Sequence, residues 1–313
     1  MKRALVFPGQ GSQAVGMGQA LAGAFTEARD VFQEIDEALS QNLTRLMFDG
    51  PAYDLKLTEN AQPALMAVSL AVIRVLDKQG GFNLPNAAQF VAGHSLGEYS
   101  ALCAAGSFSV ADTAKLLKKR GLAMQQAVPL GVGCMAALIG VDLDTAQEIA
   151  KAAAQGEVCT AANDNAPGQI VISGHMAAVD RAITLAAERG FKRSIKLPVS
   201  APFHCSLMQP AADVMQKALE SVALKAPCVP LVANVTAEAT SNVEEIRDLL
   251  VKQVTGSVRW RESVLYIRSQ GIEQLVECGA GAVLTGLTKR IDKDLTALAL
   301  QSPEDIENFL KTR

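Results

Sequence analysis

The chain has 313 residues, 49% of them apolar, with a formal net charge of -3 and a pI near 5.7. That is enough apolar material for one large domain or two small ones, and the slightly acidic balance excludes the basic stripe of a typical nucleic-acid binder. No span approaches the ~20 apolar residues of a membrane helix. The opening apolar run stops at Pro8, too short for a secretory signal core, so a cytoplasmic protein that does not enter the membrane is expected.

The first predicted strand is ALVF (4–7). It runs into GQGSQAVGMG (9–18), whose glycines 11 and 16 have Walker-like spacing but no following Lys-Ser/Thr, so no phosphate loop is indicated. A helical period covers 62–79, QFVA (89–92) reads as a second strand, and helical periods resume at 98–105 and 110–127. From 131 to 198 the rhythm changes to strand CMAALIG, helix DTAQEIAKAAA, strand VCTAAN, a turn at NDNAPG, strand QIVISG, helix AAVDRAITLAAERG and strand KRSIKL. That βαββαβ order is a ferredoxin-like unit, inserted into a larger α/β layer fold with a mostly parallel sheet. The larger unit resumes with strands PLVANV (230–235), QLVEC (274–278) and LTALAL (295–300) and helical periods at 243–254 and 260–270. An insertion of this kind makes a cleft, the usual place for a ligand. GAGAVLTG (279–286) lacks the third glycine of a dinucleotide fingerprint, and the six cysteines show neither metal-site nor disulfide spacing.

Chemistry concentrates in FVAGHSLG (90–97). Gly93-His94-Ser95-Leu96-Gly97 fits G-x-S-x-G between a predicted strand and a predicted helix, the setting of a nucleophile elbow, although Ser95 can also be read as a plain turn residue. In the elbow reading the Leu96 N–H points at the oxygen of a carbonyl attacked by Ser95. Of the three histidines, His94 is adjacent to the serine, where its ring should diverge from the hydroxyl, and His175 reads as a capping or surface residue. His204, in VSAPFHCSLM just after the insert, is the candidate base, against a buried structural histidine. On VADTAKLLKKRGLAMQQ, Arg120 shares one face with Thr113, Leu117 and Met124, opposite Lys115, Lys118 and Lys119. An arginine on an apolar stripe needs an anion, supplied by an internal carboxylate or by a substrate.

Five stretches, FPGQGSQ, GHSLGEYSAL, KRGLAMQ, PFHCSLM and ECGAGAVLTGLTKR, occur in this order across residues 4–291. Together they resemble the malonyl-CoA:acyl carrier protein transacylases of fatty-acid synthesis. The resemblance implies an α/β-hydrolase-like large subdomain (1–130 and 199–313) with a ferredoxin-like small subdomain (131–198) inserted. It implies Ser95 as nucleophile, His204 as base and the backbone N–H groups of Gln10 and Leu96 as oxyanion hole. Arg120 would hold the malonyl carboxylate, and the Gln253 main-chain carbonyl would orient His204. Met124 and Phe203 would line the pocket; related domains with Phe at the latter position favour malonyl, and those with Ser often accept methylmalonyl. The implied partners are malonyl-CoA and an acidic acyl carrier protein, the latter facing a basic rim drawn from Lys115, Lys118, Lys119, Lys192, Arg193, Lys196, Lys289 and Arg290. No cofactor or metal is implied, and a monomer is expected. A serine thioesterase with the same elbow, a polyketide-pathway acyltransferase and a non-catalytic carrier-protein scaffold are the competing readings.

Overall fold

The computed structural model describes residues 1–199 and 201–312; Ser200, within the predicted histidine loop, and Arg313 lie outside the described residues. Among the described residues ten strands form two sheets: β1 Arg3–Phe7, β2 Phe90–Gly93, β3 Gly133–Ile139, β4 Cys159–Ala166, β5 Gln169–His175, β6 Arg193–Lys196, β7 Leu231–Val232, β8 Ala239–Thr240, β9 Gln274–Cys278 and β10 Thr296–Leu300. The larger sheet has the order β10-β9-β1-β2-β7-β8, parallel except for β8. The smaller is antiparallel in the order β4-β5-β3-β6, which is the ferredoxin-like arrangement of a βαββαβ unit.

Strands β1 and β2 lie side by side with Phe7 opposite Gly93, so the FPGQGSQ loop and the serine turn leave the same end of the sheet together. Carboxyl ends of parallel strands are where α/β sheets collect ligands. Beside them run two long helices, Thr58–Gly80 and Val110–Gln126. The second starts cleanly because the Ser109 hydroxyl accepts from the Asp112 N–H at 3.0 Å. The two helices cross closely at Gly121, where a Cβ would sit 2.5 Å from the Thr58 carbonyl oxygen.

Three local readings change. Four helices, Gln19–Ala24, Thr26–Leu39, Leu43–Asp49 and Ala52–Lys56, occupy the stretch that the strand and helix periods left unassigned. The longest has a legible stripe, Ala28, Val31, Phe32 and Ile35, all buried. PLVANV contributes only Leu231–Val232 to the sheet, because Asn234 turns its amide to the serine loop. VCTAAN continues as a strand through Ala166 with two register shifts, which leaves Pro167-Gly168 as the turn.

Candidate active site

Ser95 sits between the end of β2 and the helix Gly97–Ala104 with φ 53°, in the left-handed region. For a serine this costs ~1–3 kcal/mol, held by contacts on both sides of the residue. The Ser95 N–H donates to Asn234 Oδ1 at 2.8 Å and its carbonyl accepts from Gln253 Nε2 at 2.9 Å. The flanking glycines are steric necessities. A Cβ on Gly93 would lie 1.9 Å from the Gly97 carbonyl carbon, and one on Gly97 would lie 2.3 Å from the Phe7 carbonyl oxygen.

His204 also has a left-handed backbone, φ 58°, and its side chain is buried. Its Nε2 lies 2.8 Å from Ser95 Oγ, and its Nδ1 lies 2.9 Å from the Gln253 carbonyl and 3.2 Å from that of Gly256. Both carbonyls can only accept, so Nδ1 carries the proton and Nε2 is left to accept from the serine hydroxyl. Burial, then the charge of Arg120, pushes the imidazole down to about 3, with the two carbonyl contacts opposing. At neutral pH His204 is a neutral imidazole in hydrogen bond with the hydroxyl, the starting state of a general base.

Arg120 is 1% exposed, a cation with almost no access to water. Nη1 donates to Gln62 Oε1 at 2.8 Å, while Nη2 donates to Gln253 Oε1 at 2.7 Å and to Ser95 Oγ at 3.2 Å. The guanidinium carbon also lies 5.7 Å from the centre of the Tyr99 ring. Its hydrogen-bond partners are neutral, its Nε is buried with no acceptor, and no carboxylate ion-pairs with it among the described residues. The internal salt bridge left open in the sequence is therefore absent, and burial lowers the arginine's pKa from its ordinary value. A buried guanidinium beside a serine hydroxyl, with no carboxylate hydrogen-bonded to it, has the chemistry to hold an anionic group.

The Gly9-Gln10 turn packs on the serine loop, since a Cβ on Gly9 would meet the His94 carbonyl at 2.7 Å. Among the described residues neither the Gln10 nor the Leu96 N–H donates to a protein acceptor, and Leu96 stands at a helix N-cap, where such donors are open. The Gln10 side chain reaches Thr58 Oγ1 at 3.4 Å. Met124 is buried one turn beyond Arg120 and takes a contact from Gln62 Nε2 at 3.8 Å. Phe203 is buried in the large apolar core beside His204.

The other histidines go elsewhere. His94 Nε2 pairs with Asn165 Oδ1 of β4 at 2.8 Å, and His175 Nδ1 accepts from the Val158 N–H at 2.9 Å. Of the basic rim, Lys118 is taken up by Asn60 and Glu59, Lys196 by Asp180, and Arg290 by Gln169 and the Pro167 carbonyl. Gly256, whose carbonyl faces His204, escaped the sequence reading, as did three polar side chains of the site, Gln62, Glu98 and Asn234. The only signal of those three was a polar side chain inside an otherwise apolar segment.

The family described as "Acyl transferase domain" matches residues 4–300. The malonyl CoA-acyl carrier protein transacylase of Escherichia coli (strain K12) is 47% identical over 300 residues, covering 96% of each chain. The chain belongs to the malonyl CoA-acyl carrier protein transacylase family. Its two-subdomain α/β fold is that of the family's solved members. The acyl-carrier-protein-S-malonyltransferase from Bartonella henselae superposes with a TM-score of 0.97 at 55% identity over 99% of both chains. A chain from the structure of a type II PKS acyl-carrier protein in complex with its malonyl-transacylase matches with a TM-score of 0.96 at 42% identity, covering 100% of each chain. Among the described residues no group of His, Cys, Asp and Glu has metal-site spacing, and no helix is long and apolar enough to cross a membrane.

Proposed function

We propose that the chain transfers a malonyl group from malonyl-CoA to the phosphopantetheine thiol of an acyl carrier protein, feeding fatty-acid elongation in the cytoplasm. The carrying observation is the Arg120 guanidinium, 3.2 Å from Ser95 Oγ and with no carboxylate hydrogen-bonded to it among the described residues. An acyl group esterified to Ser95 meets that cation only if it bears an anion close to its carbonyl. Malonyl does so across one methylene.

In the first half-reaction His204 Nε2 takes the Ser95 proton as Oγ attacks the thioester carbonyl. The resulting oxyanion is held by the Gln10 and Leu96 N–H groups. Collapse breaks the carbon–sulfur bond, and the proton on Nε2 passes to the departing CoA sulfur. In the second half His204 removes the proton of the carrier thiol, whose sulfur attacks the malonyl-serine ester and returns Oγ with its proton. Every proton is accounted for by His204, so no cofactor is required beyond the two substrates. The Gln253 and Gly256 carbonyls keep the histidine in the required tautomer in place of a triad carboxylate, which argues against reading the chain as a conventional hydrolase. Met124 and Phe203 are assigned to the pocket wall, and the cleft to the boundary between 131–198 and the rest.

Intact mass after mixing with malonyl-CoA tests this reading. Wild type should gain a malonyl adduct that a holo carrier protein discharges, and Ser95→Ala should gain none. An adduct lost to water as fast as to the carrier would point to a hydrolase, and no adduct on wild type would refute the mechanism.

A further inference from the structure

Glu98, one residue after the second glycine of the serine turn, is a carboxylate with 1% exposure and no role in the steps above. Its Oε1 accepts from the Asn234 N–H at 3.1 Å, and its Oε2 accepts from Gln253 Nε2 in a short hydrogen bond. Gln253 Nε2 also donates to the Ser95 carbonyl, so both oxygens of Glu98 face donors and the amide nitrogen faces acceptors. This leaves Gln253 Oε1 turned to Arg120 Nη2 at 2.7 Å. Asn234 completes the frame, with Oδ1 accepting from the Ser95 N–H and Nδ2 donating to the Gly93 carbonyl at 2.7 Å.

We propose that Glu98 is a positioning residue for malonyl transfer: its carboxylate sets the polarity of the Gln253 amide and thereby the aim of Arg120 at Ser95. A carboxylate suits two donors, whereas a protonated carboxyl must donate in turn. The amide that could receive that proton, Gln253, must flip to do so, presenting its NH2 to the guanidinium and breaking the Arg120 contact. Ionisation of Glu98 thus selects the arrangement in which Arg120 is held for an anionic acyl group. Burial raises the Glu98 pKa to about 7, opposed by the Asn234 and Gln253 hydrogen bonds and by the charge of Arg120. The titratable groups facing it are Arg120 on the Val110–Gln126 helix and Tyr99 on its own helix.

The inference rests on the malonyl-transfer reading, and the test separates the two. Rates of transfer from malonyl-CoA and acetyl-CoA to a holo carrier protein are measured against pH for wild type and Glu98→Gln, after the wild-type adduct on Ser95 is established by mass. In Glu98→Gln the malonyl rate should fall about 10- to 100-fold, the loss of one hydrogen bond to a charged group, with a smaller fall for acetyl. In wild type the malonyl-to-acetyl ratio should drop as pH falls through about 7, and in the variant it should be flat. Equal losses for both donors, or a variant that keeps the wild-type ratio and pH profile, overturns the proposal while leaving malonyl transfer intact. If the variant does not fold, the wild-type ratio decides: constancy across about pH 5.5 to 8.5, which brackets the Glu98 titration, overturns the proposal. No adduct on wild type removes both readings together.

Discussion

Replacing Arg120 with methionine separates what the guanidinium does for the substrate from what it does for the fold. In the free protein Arg120 is a buried cation hydrogen-bonded only to neutral acceptors. Removing it relieves a desolvation cost of several kcal/mol but leaves the buried acceptors Gln62 Oε1 and Gln253 Oε1 unmatched, at about 1–3 kcal/mol each. These opposing effects are of similar size, so the melting temperature of Arg120→Met should shift little. Malonyl transfer has no such offset. Losing the partner of a buried carboxylate costs ~3–5 kcal/mol, which is about 150- to 5,000-fold in rate. Acetyl transfer loses only the contact with Ser95 Oγ and should fall by at most about 10-fold. Initial rates from malonyl-CoA and acetyl-CoA, with a thermal melt on the same preparation, check all three quantities. Equal rate losses for the two donors would mean that Arg120 serves the fold and not the acyl carboxylate.

Two further perturbations probe the frame around the site. Gly121→Ala places a methyl 2.5 Å from the Thr58 carbonyl oxygen and 2.6 Å from Glu59 Cα, both backbone, so the two long helices must part. A loss of ~1–3 kcal/mol in urea denaturation is expected. Malonyl transfer should fall more than acetyl, because Gln62 and Arg120 lie on opposite sides of that crossing; a wild-type denaturation midpoint would contradict the close packing. His204 is held at about 3 in the folded state against 6.5 when free, so between those values the unfolded chain binds the extra proton and stability falls as pH falls. Glu98, at about 7 against 4.5, acts in the opposite sense, contributing stability that is lost as pH rises from 4.5 to about 7. His204→Ala should therefore lose less stability on acidification than wild type, by up to about 1.4 kcal/mol per pH unit below pH 6.5, as read by melting temperature against pH. Parallel wild-type and variant curves would show that the histidine is not held neutral.

Much of this site is legible along the chain because its chemistry depends on local geometry. A serine between two glycines at a strand-to-helix junction can be read from the residues, and the contacts at Gly93 and Gly97 show why larger residues do not fit there. Arg120 stands out because helical spacing puts a charge on the buried face, and the βαββαβ order of the insert follows from hydrophobic period and length. What adjacency suggests about His94 also agrees with its ring turning away to Asn165.

The partners of those residues were decided only by the fold. Whether Arg120 meets a carboxylate depends on which segments arrive beside it, and those are the start of one helix, the end of another and the serine turn: Gln62 lies 58 positions away in the chain and Gln253 lies 133. The groups that hold His204 are main-chain carbonyls, which every residue carries and no residue type advertises. Glu98 and Asn234 look like ordinary polar residues until tertiary packing removes water from them and pairs the Glu98 carboxylate with the Asn234 N–H and the Gln253 amide, and the Asn234 side chain with the Ser95 N–H and the Gly93 carbonyl. Residue type and spacing determined which groups could react. The dry, crowded junction of the strand ends determined which way each of them points, because a buried polar atom must take the partner that packing brings to it.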